Sequence, residues 1–312
     1  MDPRYPLKFR IGEFTLFSIP LTLDDGPRRA IDLSAGADEL AAGLQAGNDG
    51  ILFKSAEITG QSPAVCAGRR CIRYVPYRFR RYFLDLTTDY ETYLQKFSSK
   101  SRSTLRRKVR KFEALSGGTI DWKIYRTEDE LAEFHRLARD LSARTYQERL
   151  LDAGLPEDEA FRTEMLERAR NGTALGFLLF LADKPISYLY TPIDDEIVVY
   201  AYLGYDQDCF QHSPGTVLQL LAVEWLFSEG GYRAFDFTEG EGDHKAFFST
   251  HHVECADVFA LRRTARLRLI VGLHHVAITF SDGLVGLIER LGLKSKIKQF
   301  IRRRAARGQA SV

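Results

Sequence analysis

Three apolar stretches, Ala174 to Leu181, Pro185 to Ile193 and Ile197 to Leu203, are separated only by Ala182-Asp183-Lys184 and Asp194-Asp195-Glu196. Apolar or alternating runs of this length between turn-forming residues predict a three-strand antiparallel meander. The segment Gly215 to Phe227 is then almost wholly apolar, starts behind Ser213-Pro214 and stops at Gly230-Gly231. That pattern predicts a buried helix with Ser213 as N-cap and Pro214 in its first turn. Gly231 to Phe237 returns as a strand. Upstream, a helical period governs Thr88 to Phe97 and Ser101 to Ser116. In the second of these, Leu105, Val109 and Phe112 form a buried stripe at i, i+4 and i+7, with Arg102, Arg106 and Arg110 on a neighbouring one. Gly117-Gly118 ends that helix. Thr119 to Arg126 reads as a strand, and Glu128 to Arg149 and Glu157 to Asn171 as helices, with Pro156 at the first turn of the latter.

The two ends are less regular. Residues 1 to about 47 are weakly patterned, with a turn at Asp24-Asp25-Gly26-Pro27 and a short helix at Ala37 to Leu44. Gly50 to Lys54, Cys71 to Tyr77, Tyr82 to Leu86 and Val253 to Leu261 read as strands. Arg266 to Leu293 reads as a pair of packing helices, broken by Gly272, His274, His275, Asp282 and Glu289. From Lys294 a short amphipathic helix is expected, with Ile297, Phe300 and Ile301 on one side; a solvated tail is the equal alternative. The fold class is α/β, with a mixed, largely antiparallel sheet flanked by helices.

Composition changes this picture little, but charge changes it more. Hydrophobic residues at 45% and charged residues at 28% of 312 are ordinary for a globular chain. No apolar run approaches a membrane span and no leader pattern opens the chain, so a cytoplasmic location is expected. The four cysteines form no C-x-x-C pair, and His251-His252 and His274-His275 are adjacent pairs whose side chains diverge, so no metal site is expected. The net charge of +2 conceals a division. Residues 100 to 111 and 294 to 307 each hold seven basic side chains and no acid; without those 14, 30 Lys and Arg face 42 Asp and Glu, a remainder of −12. Two basic faces on an acidic body point to specific anionic partners and make nucleic acid an unlikely one.

Chemistry concentrates after the strand ending at Phe237. This loop gathers carboxylates, an imidazole and an ammonium at a strand end, a plausible place for chemistry. Glu239 and Glu241 are the candidate bases, with solvated loop carboxylates as the plain alternative. His244 can share the proton transfer, because an imidazole titrates near neutrality. Lys245 can contact a ligand phosphate or developing negative charge, and Asp236 can order the loop through backbone hydrogen bonds. Ser213, Gly215 and Thr216 open a helix whose free N–H groups suit a phosphate. Arg102, Arg106 and Arg107 can bind an anionic acceptor or carrier, a solvated basic face being the plain reading. Tyr146, beside Arg144, is a further acceptor-side candidate, a packing aromatic being its default role.

Three segments carry a resemblance. Phe97 to Arg107, Tyr205 to Thr216 and Asp236-Phe237 through Gly240 to Lys245 resemble, in order, the basic helix, the Ser-Pro-Gly-Thr turn and the strand-loop of cellulose-biosynthesis (CelD-like) acetyltransferases. That branch of the GNAT acyltransferase superfamily is related to the Fem-type peptidoglycan aminoacyltransferases. The chain departs from it at His244, often a tyrosine, and at Phe210 to Gly215, which replaces the usual GNAT phosphate loop. The resemblance implies an abbreviated lobe over 1–86 and an acyltransferase domain over 87–262; the residue pattern beyond it makes 263–312 a helical extension. It implies that Leu203 and Gly204 offer a strand edge to a pantetheine arm, and it favours Lys245 as a functional lysine. The function so implied is transfer of an acyl group, foremost acetyl, from acetyl-CoA or an acyl-carrier thioester to an amino or hydroxyl acceptor such as an envelope, exopolysaccharide or lipid-linked sugar. Direct transfer is expected, since no cysteine or serine stands beside a histidine and a carboxylate in the sequence. Expected partners are that acceptor, an acyl-carrier protein, and an anionic membrane at the inner face met through 294–307. The alternatives are a Fem-type transferase using aminoacyl-tRNA and a non-catalytic scaffold of a polysaccharide-synthesis complex.

Overall fold

The computed structural model describes residues 4–11, 14–27, 29–144, 154–240 and 242–290, with backbone alone at 14 and 285–290. These fall into two compact units, one formed by the described residues of 1–79 and 254–290, the other by Arg80–Val253.

The first unit begins with a long hairpin, β1 (Arg4–Ile11) and β2 (Phe14–Asp25), paired antiparallel from Arg4↔Thr22 to Ile11↔Phe14. This corrects the weak patterning expected for 1–47. Leu7 and Phe9 alternate with Lys8 and Arg10, and only the apolar pair is buried. Next come β3 (Ile31–Asp32), β4 (Gly50–Thr59), β5 (Val65–Ala67) and β6 (Cys71–Tyr74), with a 3₁₀ turn at Ala37–Ala41 where a short helix was expected. The last strand of the chain, β14 (His251–Arg262), pairs antiparallel with β4 and β6. The pair of helices expected over 266–293 is one continuous helix, α7 (Ala265–Arg290). Its buried positions Leu267, Ile270, Val271, His274, Ile278 and Ser281 keep a single helical stripe across Gly272, so that glycine breaks nothing. His274 is satisfied there, with Nδ1 2.6 Å from the Tyr74 hydroxyl and Nε2 3.1 Å from the Lys8 carbonyl oxygen. Among the described residues no helix is long and apolar enough to cross a membrane, and all four cysteines are free thiols.

The second unit has helices on both faces of its sheet. Its elements are β7 (Arg78–Asp85), α1 (Tyr90–Gln95), α2 (Ser99–Leu115), β8 (Trp122–Tyr125), α3 (Glu128–Ser142), α4 (Glu159–Arg170), β9 (Ala174–Leu181), β10 (Lys184–Asp194), β11 (Ile197–Val199), β12 (Tyr202–Tyr205), α5 (Pro214–Glu229), β13 (Ala234–Asp236) and α6 (Asp243–Phe248). Strands β8, β9 and β10 are antiparallel neighbours, β11 joins β10 antiparallel and β13 parallel, and β13 pairs antiparallel with β7. On β9, Leu175, Phe177 and Leu179 pack with α1, α2 and α5, whereas Ala174, Leu178 and Phe180 pack with α3 and α4. Burial on both faces explains the unbroken apolar run of that strand. Side-chain caps start the helices: Asp89 receives Thr92 N–H, Ser98 receives Ser101 N–H, and Thr127 forms a capping box with Glu130. Asp158 caps α4, so Pro156 lies ahead of the helix and not in its first turn.

Candidate active site

The site originates in a divided strand. The run Ile197 to Leu203, expected as one strand, parts into β11 and β12 because its middle serves two neighbours. Tyr200 N–H donates to the Asp236 carbonyl oxygen (2.8 Å), and Ala201 N–H donates to that of Tyr190 (3.2 Å). Strand β11 therefore follows β13 while β12 stays on β10, its only strand neighbour among the described residues. Asp206 N–H donates to Ile186 O (2.8 Å), and the Gly204 carbonyl accepts Ser187 Oγ (3.0 Å), so even-numbered positions turn toward β10. By antiparallel alternation, Leu203 and Tyr205 direct their N–H and C=O groups to the open edge. Gly204 serves packing, since a Cβ there would stand 2.3 Å from the Tyr188 ring.

Facing that edge is the start of α5. Ser213 does not cap it through its side chain, contrary to the sequence expectation: it sits in the left-handed region (φ 53°) with no side-chain hydrogen bond to the helix. Pro214 takes the first helical position, as expected. First-turn N–H groups of a helix lack intrahelical partners and carry the positive end of its dipole. A cavity of about 430 Å³ opens here, lined by Leu203, Tyr205, Ser213, Gly215 and Thr216, with Lys108 of α2 and Tyr200 completing the wall. Gly215 lets the backbone approach, because a Cβ would meet Leu203 Cδ2 at 3.1 Å and Tyr205 Cδ1 at 3.2 Å. Gln219, one turn further along α5, also lines the cavity. It is 4% exposed, and its Nε2 has no hydrogen-bond partner. A buried amide donor left unpaired in a cavity wall is a ready contact for a ligand oxygen.

The strand-loop expected through Lys245 ends sooner, because 243–248 is helical (α6) behind Gly242. Asp236, 1% exposed at the end of β13, accepts from Arg81 Nε at 3.1 and 2.9 Å through its two oxygens and is also bonded by Arg81 NH2. Its Oδ1 additionally accepts Thr238 N–H at 2.8 Å, which holds the loop with Thr238 at φ 62°. The ordering role expected for Asp236 is thus met by one backbone bond and an arginine the sequence did not point to. At the far end of α6, Lys96 donates to the Phe247 (2.7 Å) and Ser249 carbonyls, and the Tyr93 hydroxyl donates to that of Phe248 (3.0 Å).

This framework brings His244 into the cavity wall beside Tyr200, their ring centroids 6.5 Å apart. Burial, and then the Lys245 ammonium, push the His244 pKa below its ordinary 6.5, so a neutral imidazole faces the cavity at pH 7. Burial raises the Tyr200 phenol and keeps it protonated. Lys245 does not line the cavity: its ammonium donates to the Glu239 carbonyl and closes the loop, with its pKa lowered by burial. The Glu239 side chain is exposed. Glu241, Tyr146 and the basic segment 294–307 lie outside the described residues. Arg102 and Arg106 line a second cavity, of about 880 Å³, with Arg107, Arg110 and Lys111. Among the described residues no group of three His, Cys, Asp or Glu side chains could hold a metal ion.

Sequence reasoning passed over Tyr200, Gln219 and Lys108. Gln219 had a signal, as the one amide within the apolar run 215–227. Tyr200 had none, since a tyrosine inside a strand reads as core.

Residues 99–246, 148 of the 312, match a family model described as an acetyltransferase (GNAT) domain. No curated protein matches the chain. Among solved structures the chain is similar to the C-terminal domain (DUF2156) of a protein designated a lysylphosphatidylglycerol synthetase from Agrobacterium fabrum. That likeness has 13% identity over 78% of this chain and 74% of the other, with a TM-score of 0.48. It is also similar to L-PGS from Bacillus licheniformis (14% identity, 77% and 76% covered, TM-score 0.44) and to FemX (14%, 62% and 64%, 0.42).

Proposed function

We propose that the protein is an acyltransferase that moves an acyl group, foremost acetyl, from a thioester donor to an amino or hydroxyl acceptor by direct transfer, in the manner of the CelD-like branch and with an envelope or exopolysaccharide sugar as acceptor. One observation carries the reading. A single cavity joins a helix start that leaves the Gly215 and Thr216 N–H groups open, an open strand edge and a neutral histidine, within the stretch that matches the acetyltransferase model. The first turn of α5 takes donor phosphates, and Leu203 and Tyr205 pair with the amides of the pantetheine arm. His244 takes the proton as the acceptor attacks the thioester carbon; the C–S bond breaks, and the phenol of Tyr200 protonates the departing thiolate.

Gly215→Val tests the cradle. The added methyl groups press on Leu203 and Tyr205 while the helix remains permitted, so coenzyme A binding measured by titration calorimetry is expected to weaken at least tenfold with an unchanged circular dichroism spectrum. Unchanged affinity would overturn the assignment.

We place beside this a peripheral contact with anionic membrane. Leu269, Leu273, Val276 and Phe280 form an exposed apolar stripe on α7, 54–66% accessible, ahead of the seven basic residues of 294–307. Each basic residue near such a surface contributes roughly 1 kcal/mol at low salt. Full-length protein is expected to sediment with phosphatidylglycerol vesicles at low salt and to lose them on Leu273→Asp with Phe280→Asp. Vesicle binding indifferent to both changes would remove the helix from this role.

A further inference from the structure

The two cavities lie on different sides of one helix. Lys108 reaches the donor cavity from α2, while Arg102, Arg106, Arg107, Arg110 and Lys111 line the other. Those five cations enter no ion pair among the described residues, and the first turn of α2 holds no acid to offset its dipole. Only Glu91 contributes a carboxylate to that cavity wall. Five unpaired cations along one face repel each other, a cost that an anionic partner relieves.

Free coenzyme A has no evident use for this face. The cradle on α5 already provides for its phosphates, and none of these five side chains lines that cavity. A long RNA is disfavoured too, since the chain without its two basic runs carries −12. The basic face is short: Arg102 to Lys111 is nine residue steps, about 14 Å of helix. A face of that length fits two to three turns of one acidic helix.

We propose that the α2 face docks the acidic helix of an acyl carrier protein, whose pantetheine arm passes Lys108 into the donor cavity. The natural donor is then a carrier-bound thioester. This rests on the acyl-transfer reading for what the arm does, but not for the docking itself.

The test therefore uses a bacterial acyl carrier protein without its pantetheine arm, which cannot occupy the donor cavity. Biolayer interferometry at low salt is expected to show binding that weakens as salt rises. Arg110→Glu with Lys111→Glu should weaken it at least tenfold, whereas Gly215→Val should leave it unchanged. With loaded donors, the same double variant should raise KM for the acyl-carrier protein at least tenfold and keep KM for acyl-CoA within about twofold. Absence of carrier binding, equal losses with both donors, or tighter arginine-dependent binding of tRNA than of the carrier would overturn the proposal. Carrier binding that persists while no thioester is turned over would leave the docking standing and defeat the acyl-transfer reading.

Discussion

His244→Ala is expected to lower turnover by about two orders of magnitude or more while leaving coenzyme A affinity within a few fold. General-base catalysis by a positioned side chain contributes on that scale, and the donor phosphates are assigned to the start of α5, away from the imidazole. The pH profile separates this role from a packing one. A base acts deprotonated, and burial and Lys245 hold the His244 pKa below 6.5. Activity should therefore stay level as pH falls through 6.5 and drop only below the lowered value, following the protonation of one group. Asp243 opposes that lowering, so Asp243→Asn should move the acid limb of kcat/KM to still lower pH. An unchanged acid limb in His244→Gln would give the base role to another group, with the exposed carboxylate of Glu239 next to be tested.

What the sequence disclosed follows from which interactions are local. The runs of β9 and β10, the start and stop of α5 and the buried stripe of α2 depend on periodicity and on residues such as Pro214, Gly230 and Gly117, and all are readable from the chain. The opening between β11 and β12 is not, because it arises where Tyr200 bonds to Asp236 and Ala201 to Tyr190, partners 36 and 11 residues away. The same holds for Arg81, which meets Asp236 at a sequence separation of 155. Helix α6 is short, begins behind Gly242 without a side-chain cap and carries charged residues, so nothing local marks it. Its place is set by Lys96 and Tyr93, again far away in sequence. Of the candidate residues, Leu203, Ser213, Gly215, Thr216 and His244 meet in one cavity. Lys245 lies one residue beyond His244 on the same helix and turns away to Glu239, a direction that helical geometry decides and loop reasoning could not.

Asp236→Ala is expected to produce the largest loss of stability of any single change in the second unit's site. The carboxylate is 1% exposed and holds two things at once: the guanidinium of Arg81 on β7 and the N–H of Thr238 in a left-handed conformation. Removing one partner of a buried ion pair typically costs about 3–5 kcal/mol. Arg81 keeps some solvent, at 28% side-chain exposure, which places the expectation near the lower end of that range. Urea unfolding followed by fluorescence should show the midpoint falling at an unchanged slope. Asp236→Asn should lose less, because an amide oxygen can still accept from Thr238 N–H. Both variants should lose turnover beyond what their folded fraction explains, since the loop leading to His244 is tied to this side chain. An alanine variant that unfolds within about 1 kcal/mol of the wild type would mean that the Arg81 pair stabilises little.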